Sequence, residues 1–112
     1  MQQPNNITVL THIHQILYEL GLKPADPDMF YTAYAILAAY QQPELLQDVS
    51  GALYPSVAAH YDADPEAVER SVEHAVCQMY HTHTNALSAL VGQPVSDVPH
   101  ADAFLSAVTA QL

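Results

Sequence analysis

Cations are what this sequence lacks. Lys23 and Arg70 are the whole supply, set against 12 Asp and Glu, so the formal charge is −10 with the seven histidines neutral. A surface of that sign repels phosphates and anionic lipid, and it attracts basic proteins or metal cations. Charge by itself therefore argues against nucleic acid as a ligand, although acidity also serves plain solubility. Cysteine is nearly absent as well. Cys77 alone cannot close an internal disulfide, which agrees with a reducing compartment. No apolar run approaches the roughly 20 residues needed to span a bilayer, and "MQQPNNITVL" has neither a basic n-region nor an apolar h-region. A cytoplasmic protein with no membrane association is expected.

Enzyme signatures are missing too. There is no nucleophile elbow, no phosphate loop and no H-E-x-x-H. Glu66, Glu69 and Glu73 stand at i, i+3 and i+7, where paired acids could do acid–base work. Carboxylates on an exposed helix side are usually just solvated, so neither catalysis nor a cofactor is expected.

What is present is apolar. Half of the 112 residues are apolar and only 12% are charged, which excludes disorder and fits a single domain, 1–112, with one filled core. Apolar residues recur at helical spacing nearly throughout, and no window alternates strictly enough for a half-buried strand. The pattern predicts an all-α fold, a compact bundle of six or seven helices.

The first helix is expected from about Ile7 to Leu20, with Ile13, Ile16, Leu17 and Leu20 on one stripe and Gly21 as the stop. "ADPDMFYTAYAILAAY" opens the second, with Asp26 as N-cap, Pro27 at the first helical position and Asp28 in the first turn. Pro43 is expected to restart a helix in "PELLQDVSGALY", and Pro55 to open a short one in "PSVAAHY". "DADPEAVERS" repeats the start signal with Asp64, Pro65 and Glu66, predicting a long helix from about Pro65 to Tyr80 or beyond. Its apolar stripe is Val68, Val72, Ala75, Val76 and Met79, with Glu66, Ala67, Arg70, Glu73, His74 and Cys77 opposite. "TNALSALVG" reads as a shorter helix ending at Gly92, "QPVSDVP" as a loop, and "ADAFLSAVTAQL" as a last amphipathic helix.

A short helix, the tight connection "DAD" and a longer helix give the outline of a helix-turn-helix over about 54–81. The residues around it go further. "LYPSVAAHYDADPEAVERSVEHAV" resembles the C-terminal effector domain of the sporulation stage-zero response regulators of endospore-forming bacteria. The shared positions are Leu53, Tyr54, Pro55, Ala58, Tyr61, Val68, Glu69, Arg70, His74 and Ala75. The likeness runs almost without gaps from "ITVLTHIHQILYELGL" to "LSALVG" and the final helix.

That resemblance implies six or so helices with a helix-turn-helix near the middle. It also implies that the longer helix enters the major groove of DNA, and that two copies bind adjacent sites as a homodimer. Glu69 and Arg70 fall on positions that face DNA in the family and are the candidate base contacts. Arg70 could fork onto a guanine edge and Glu69 accept from a cytosine amine. The competing expectation for Arg70, and the one that charge favours, is an ion pair with a neighbouring carboxylate. The chain departs from the family in one direction. Ala67 and Glu73 stand where the family places further arginines, Ala59 and His60 replace lysines, and the loop before the last helix carries Asp97. Met1 lies only a few residues before the first helix, so no phosphate-receiving domain is expected ahead of it.

His74, Cys77 and His81 share a helix face at i, i+3 and i+7, and imidazole with thiolate suits zinc. No fourth ligand is evident, and the resemblance gives His74 a packing role instead. Tyr31, Tyr34, Tyr40 and Tyr54 sit among apolar residues and are expected at the core or its rim, not as a stacking platform for bases. Two functions are carried forward. One is a transcription-regulator effector domain of the sporulation type with weakened or lost DNA binding. The other is a protein-interaction module on the same scaffold, docking a basic protein partner or mimicking DNA.

Overall fold

The computed structural model describes residues 6–23, 25–93 and 96–112, and Pro94 and Val95 of the expected loop "QPVSDVP" lie outside them. Among these residues six α-helices follow in order: α1 Asn6–Glu19, α2 Pro27–Gln41, α3 Tyr54–Tyr61, α4 Pro65–Thr82, α5 Thr84–Val91 and α6 Ala101–Ala110. No strand occurs among the described residues.

Local chemistry accounts for most of the boundaries. The α1 chain reverses at Gly21, whose φ of +104° is open to glycine at little cost, and the Leu22 amide returns to the Leu17 carbonyl at 3.0 Å. Space matters there as much as φ, because a Cβ on Gly21 would stand 2.6 Å from Nδ1 of His83. Asp26 caps α2 and Asp64 caps α4, each side chain accepting from the amide two residues on at 3.0 Å, with Pro27 and Pro65 in the first turn.

The expected helix after Pro43 is not continuous. Pro43–Gln47 is a 3-10 turn, Val49–Leu53 a wide π-type turn, and α3 follows directly. The break falls at Asp48, whose carboxylate accepts from the Gly51 amide at 3.0 Å. A short acidic side chain that bonds the nearby backbone competes with helix, and Ser50 and Gly51 add little helical preference of their own.

Helix α2 is the centre of the packing, touching α1, α3, α4, α6 and both short turns. Met29, Ala33, Ala35, Ile36, Leu37 and Ala39 are buried on it, and the small alanines let neighbouring backbones come close. One cluster joins Ile13 and Leu17 of α1 to Ile36 of α2, Val57 of α3, Val72 and Met79 of α4, Leu87 of α5, and Phe104 and Leu105 of α6. The expected stripe of α4 is the buried one: Val68, Val72, Ala75, Val76 and Met79.

Two core positions make opposite predictions. Val72 is fully buried, so Val72→Ala should cost about 1–3 kcal/mol in chemical denaturation. Thr32 is equally buried and its hydroxyl has no hydrogen-bond partner. Thr32→Val removes that unmet group and should gain about 1 kcal/mol in the same assay.

Candidate nucleic-acid interface

The connection between α3 and α4 is built from three residues. Asp62 ends α3 in the left-handed region (φ +53°), and the Ala63 amide closes back on the Ala58 carbonyl at 2.8 Å. Asp64 then caps α4. Val57 and Ala58 of α3 are buried alongside Val68 and Val72 of α4, so the two helices share one piece of core.

With that stripe inward, the rest of α4 is turned out. Glu66, Arg70, Glu73, His74, Gln78 and His81 are exposed, while Ala67, Glu69 and Cys77 are half-buried. Arg70 makes no ion pair among the described residues, against the expectation that a neighbouring carboxylate would hold it. Glu66 and Glu73, four residues before and three after it, are exposed, whereas the adjacent Glu69 is half-buried. On α3, Ala59 and His60 are exposed at its last turn.

Carboxylates gather on the side of α4 that meets α6. The Tyr54 phenol, buried beneath that side, is pushed well above its ordinary range by burial first, then by the charges of Asp102, Glu69 and Glu73. These three acids come from α4 and α6 and all act on the one phenol. Asp97 lies in the loop before α6 and is exposed.

A polar bridge that the sequence did not reveal lies on the other side. Asp28, in the first turn of α2, is 9% exposed. One of its carboxylate oxygens accepts from the Ser71 hydroxyl at 2.6 Å, and the other pairs with Nδ1 of His74. The available signal was the first-turn aspartate, which dipole chemistry explained on its own; nothing in its spacing pointed 46 residues ahead. Ser71 bonds the aspartate and not the imidazole, so the group has no nucleophile–base contact. His74 is thereby committed to α2. Among the described residues no three His, Cys, Asp or Glu side chains converge to hold a metal ion, and the row His74, Cys77, His81 is a helix face without a common centre.

The tyrosines divide as expected between core and rim, with Tyr54 buried and Tyr31, Tyr34 and Tyr40 half-buried. No helix among the described residues is long and apolar enough to cross a membrane. In comparison with known proteins, the family model described as "Sporulation initiation factor Spo0A C terminal" matches residues 13–112 of this chain.

The bridge sets a pH dependence. The hydrogen bond to Asp28 and then the charge of Asp28 raise His74 above the ordinary 6.5, with Asp26 adding to them and partial burial opposing. A raised value in the folded state means that the stabilisation is fully present below about pH 6.5 and is lost as pH climbs through the folded value. The melting temperature of the parent should therefore fall relative to that of His74→Gln between about pH 6 and 8. Since the imidazole is largely exposed, the whole effect should stay below about 1 kcal/mol. A difference that does not change with pH would show that the pair contributes nothing through charge.

Proposed function

The chain belongs to the sporulation initiation factor Spo0A C-terminal family and is a transcription-regulator effector domain of the sporulation type, and we propose that its binding to DNA is weakened or lost through charge. The family is one of DNA-binding regulator domains and not of enzymes. In this reading α3 and α4 are the helix-turn-helix, α4 is the recognition helix, and Glu69 and Arg70 are its base-facing positions.

The observation that carries the proposal is the outer face of α4. It exposes Arg70 beside Glu66 and Glu73, with Ala67 in place of a cation. The other cation, Lys23, borders a cleft with Gln78 and Thr82, about 12 Å along α4 from Arg70 at 1.5 Å per residue. A protein that makes six to ten phosphate contacts draws most of its affinity from such cations. Here the fixed charges can neutralise two phosphates at most, while Glu69, Glu73 and Asp102 oppose the approach.

The same acidity supports a second reading, in which the scaffold is a protein-interaction module that docks a basic protein or occupies a DNA-binding partner in place of DNA. Three carboxylates gathered on one side of a recognition-type helix favour it.

Duplex carrying the family's site, and a scrambled duplex, should be titrated at low and physiological salt at pH 7.5, about one unit above the ordinary imidazole value. We expect no site-specific submicromolar binding at physiological salt, and a salt slope shallower than about −2 wherever binding is measurable. Changing Ala67 and Glu73 together to Arg moves the formal charge from −10 to −7 and should restore site-specific binding. Tight, site-specific binding by the parent protein would overturn the proposal.

A further inference from the structure

Helix α2 wears its polarity inside out. Asp28 and Thr32 are buried on it, whereas its outward arc carries Phe30, Tyr31 and Tyr34 ahead of the terminal Gln41, with Phe30 50% exposed. The outer face of a helix ordinarily carries charge, and here it carries rings.

Two neighbouring helices extend the surface. At the end of α3, Tyr61 is 40% exposed and meets Tyr31 and Tyr34 edge-on, with ring centres 5.3 and 5.6 Å away. His60 lies flat on Tyr34 at 4.0 Å. From α1, Leu10 and His14 close the third side. Between them is a cleft of about 250 Å³ lined by Leu10, His14, Phe30, Ala33, Tyr34 and Tyr61, with no Asp, Glu, Lys or Arg in the lining. Pockets that enclose whole small molecules run to roughly 300–1,000 Å³. This one is the size for a side chain or two from a docked segment.

Charge decides what kind of segment. A second copy would bring another −10 toward the first, which opposes association. A cationic segment is drawn by the same field, and it also finds ring faces whose negative quadrupoles attract ammonium and guanidinium groups. The chain's own cations are occupied elsewhere in space, Arg70 on the outer face of α4 and Lys23 beside Gln78 and Thr82.

We propose that the aromatic cleft between α1, α2 and α3 docks a basic segment of a protein partner, with an arginine or lysine side chain laid against Phe30, Tyr34 and Tyr61. The site is separate from the outer face of α4 and stands whether or not α4 meets DNA.

The test is an NMR titration of the whole protein at pH 7.5 with three short capped peptides that differ at one central position: arginine, its neutral isostere citrulline, or leucine. The arginine peptide should shift the resonances of Leu10, Phe30, Ala33, Tyr34 and Tyr61. The citrulline peptide should bind at least about two- to fivefold more weakly, the difference that an exposed cation–ring contact supplies. Phe30→Leu keeps an apolar side chain but removes a ring, and it should weaken the arginine peptide by a similar factor while leaving the leucine peptide unchanged. Its own spectrum reports whether it is folded.

Four results would overturn the proposal. One is a set of shifts confined to Glu66, Glu69, Glu73 and Asp102, which would mark diffuse attraction to the acidic side. The second is equal or tighter binding of the citrulline or leucine peptide, which would mark a purely apolar groove. The third is a set of cleft shifts that follow protein concentration without peptide, which would mark a second copy. The last is no shift with any peptide at millimolar concentration.

Discussion

The burial of α2 is the constraint on which the rest of the structure depends. Its buried residues cover more than half of the helix circumference, and α1, α3, α4 and α6 all rest on it. A helix enclosed to that extent can present only small or apolar side chains to its neighbours, which Ala33, Ala35, Ile36 and Ala39 supply. Two polar residues are exceptions: Thr32, whose hydroxyl has no partner, and Asp28, which is tolerated because Ser71 and His74 reach it from α4. That bridge does more than satisfy a buried carboxylate. Together with Val68, Val72 and Met79 it fixes how α4 is turned about its own axis, and so decides that Arg70 and Glu73 face outward.

Frame and electrostatics are therefore carried by different residues. The helix pair α3–α4 is set by the Asp64 cap, the left-handed Asp62 and the inward valines, none of which contributes a cation. Affinity for phosphate resides in outward positions that the core does not constrain. Ala59, His60 and Glu73 are exposed and Ala67 is half-buried, so a cation at any of them changes the local charge and leaves the buried stripe of α4 untouched.

The outward faces then fall into two kinds. One side of α4 and the start of α6 bring together Glu69, Glu73 and Asp102, close enough to act on the phenol of Tyr54. The cleft between α1, α2 and α3 is lined by rings and apolar side chains with no Asp, Glu, Lys or Arg among them. Long-range attraction of basic partners is a property of the whole chain, whereas selection among them needs shape and desolvation. An uncharged aromatic cleft on a strongly acidic domain offers both, because the field brings cations near and the rings give one of them a place to rest.

Much of the fold was legible along the chain, and the reason is that the legible parts are local. Asp26-Pro27 and Asp64-Pro65 announce helix starts through a side chain and the amide two residues on, Gly21 and Gly92 announce stops through positive φ, and the 3.6-residue period of Val68, Val72 and Val76 marks the buried face of α4. The break at Asp48 was hidden because a capping aspartate and a helical one look alike until the backbone shows which bond is made. The charge of −10 and its consequence for phosphate were likewise open in the composition. What only tertiary structure decided involves residues far apart in sequence: Asp28 with Ser71 and His74, Tyr54 with Asp102 and Glu69, Tyr34 with His60 and Tyr61. A spacing of 43 or 46 residues carries no period, so nothing in the string says that those side chains will meet. What His74 meets depends on what lies across from it, and the packing of α2 against α4 puts the Asp28 carboxylate there.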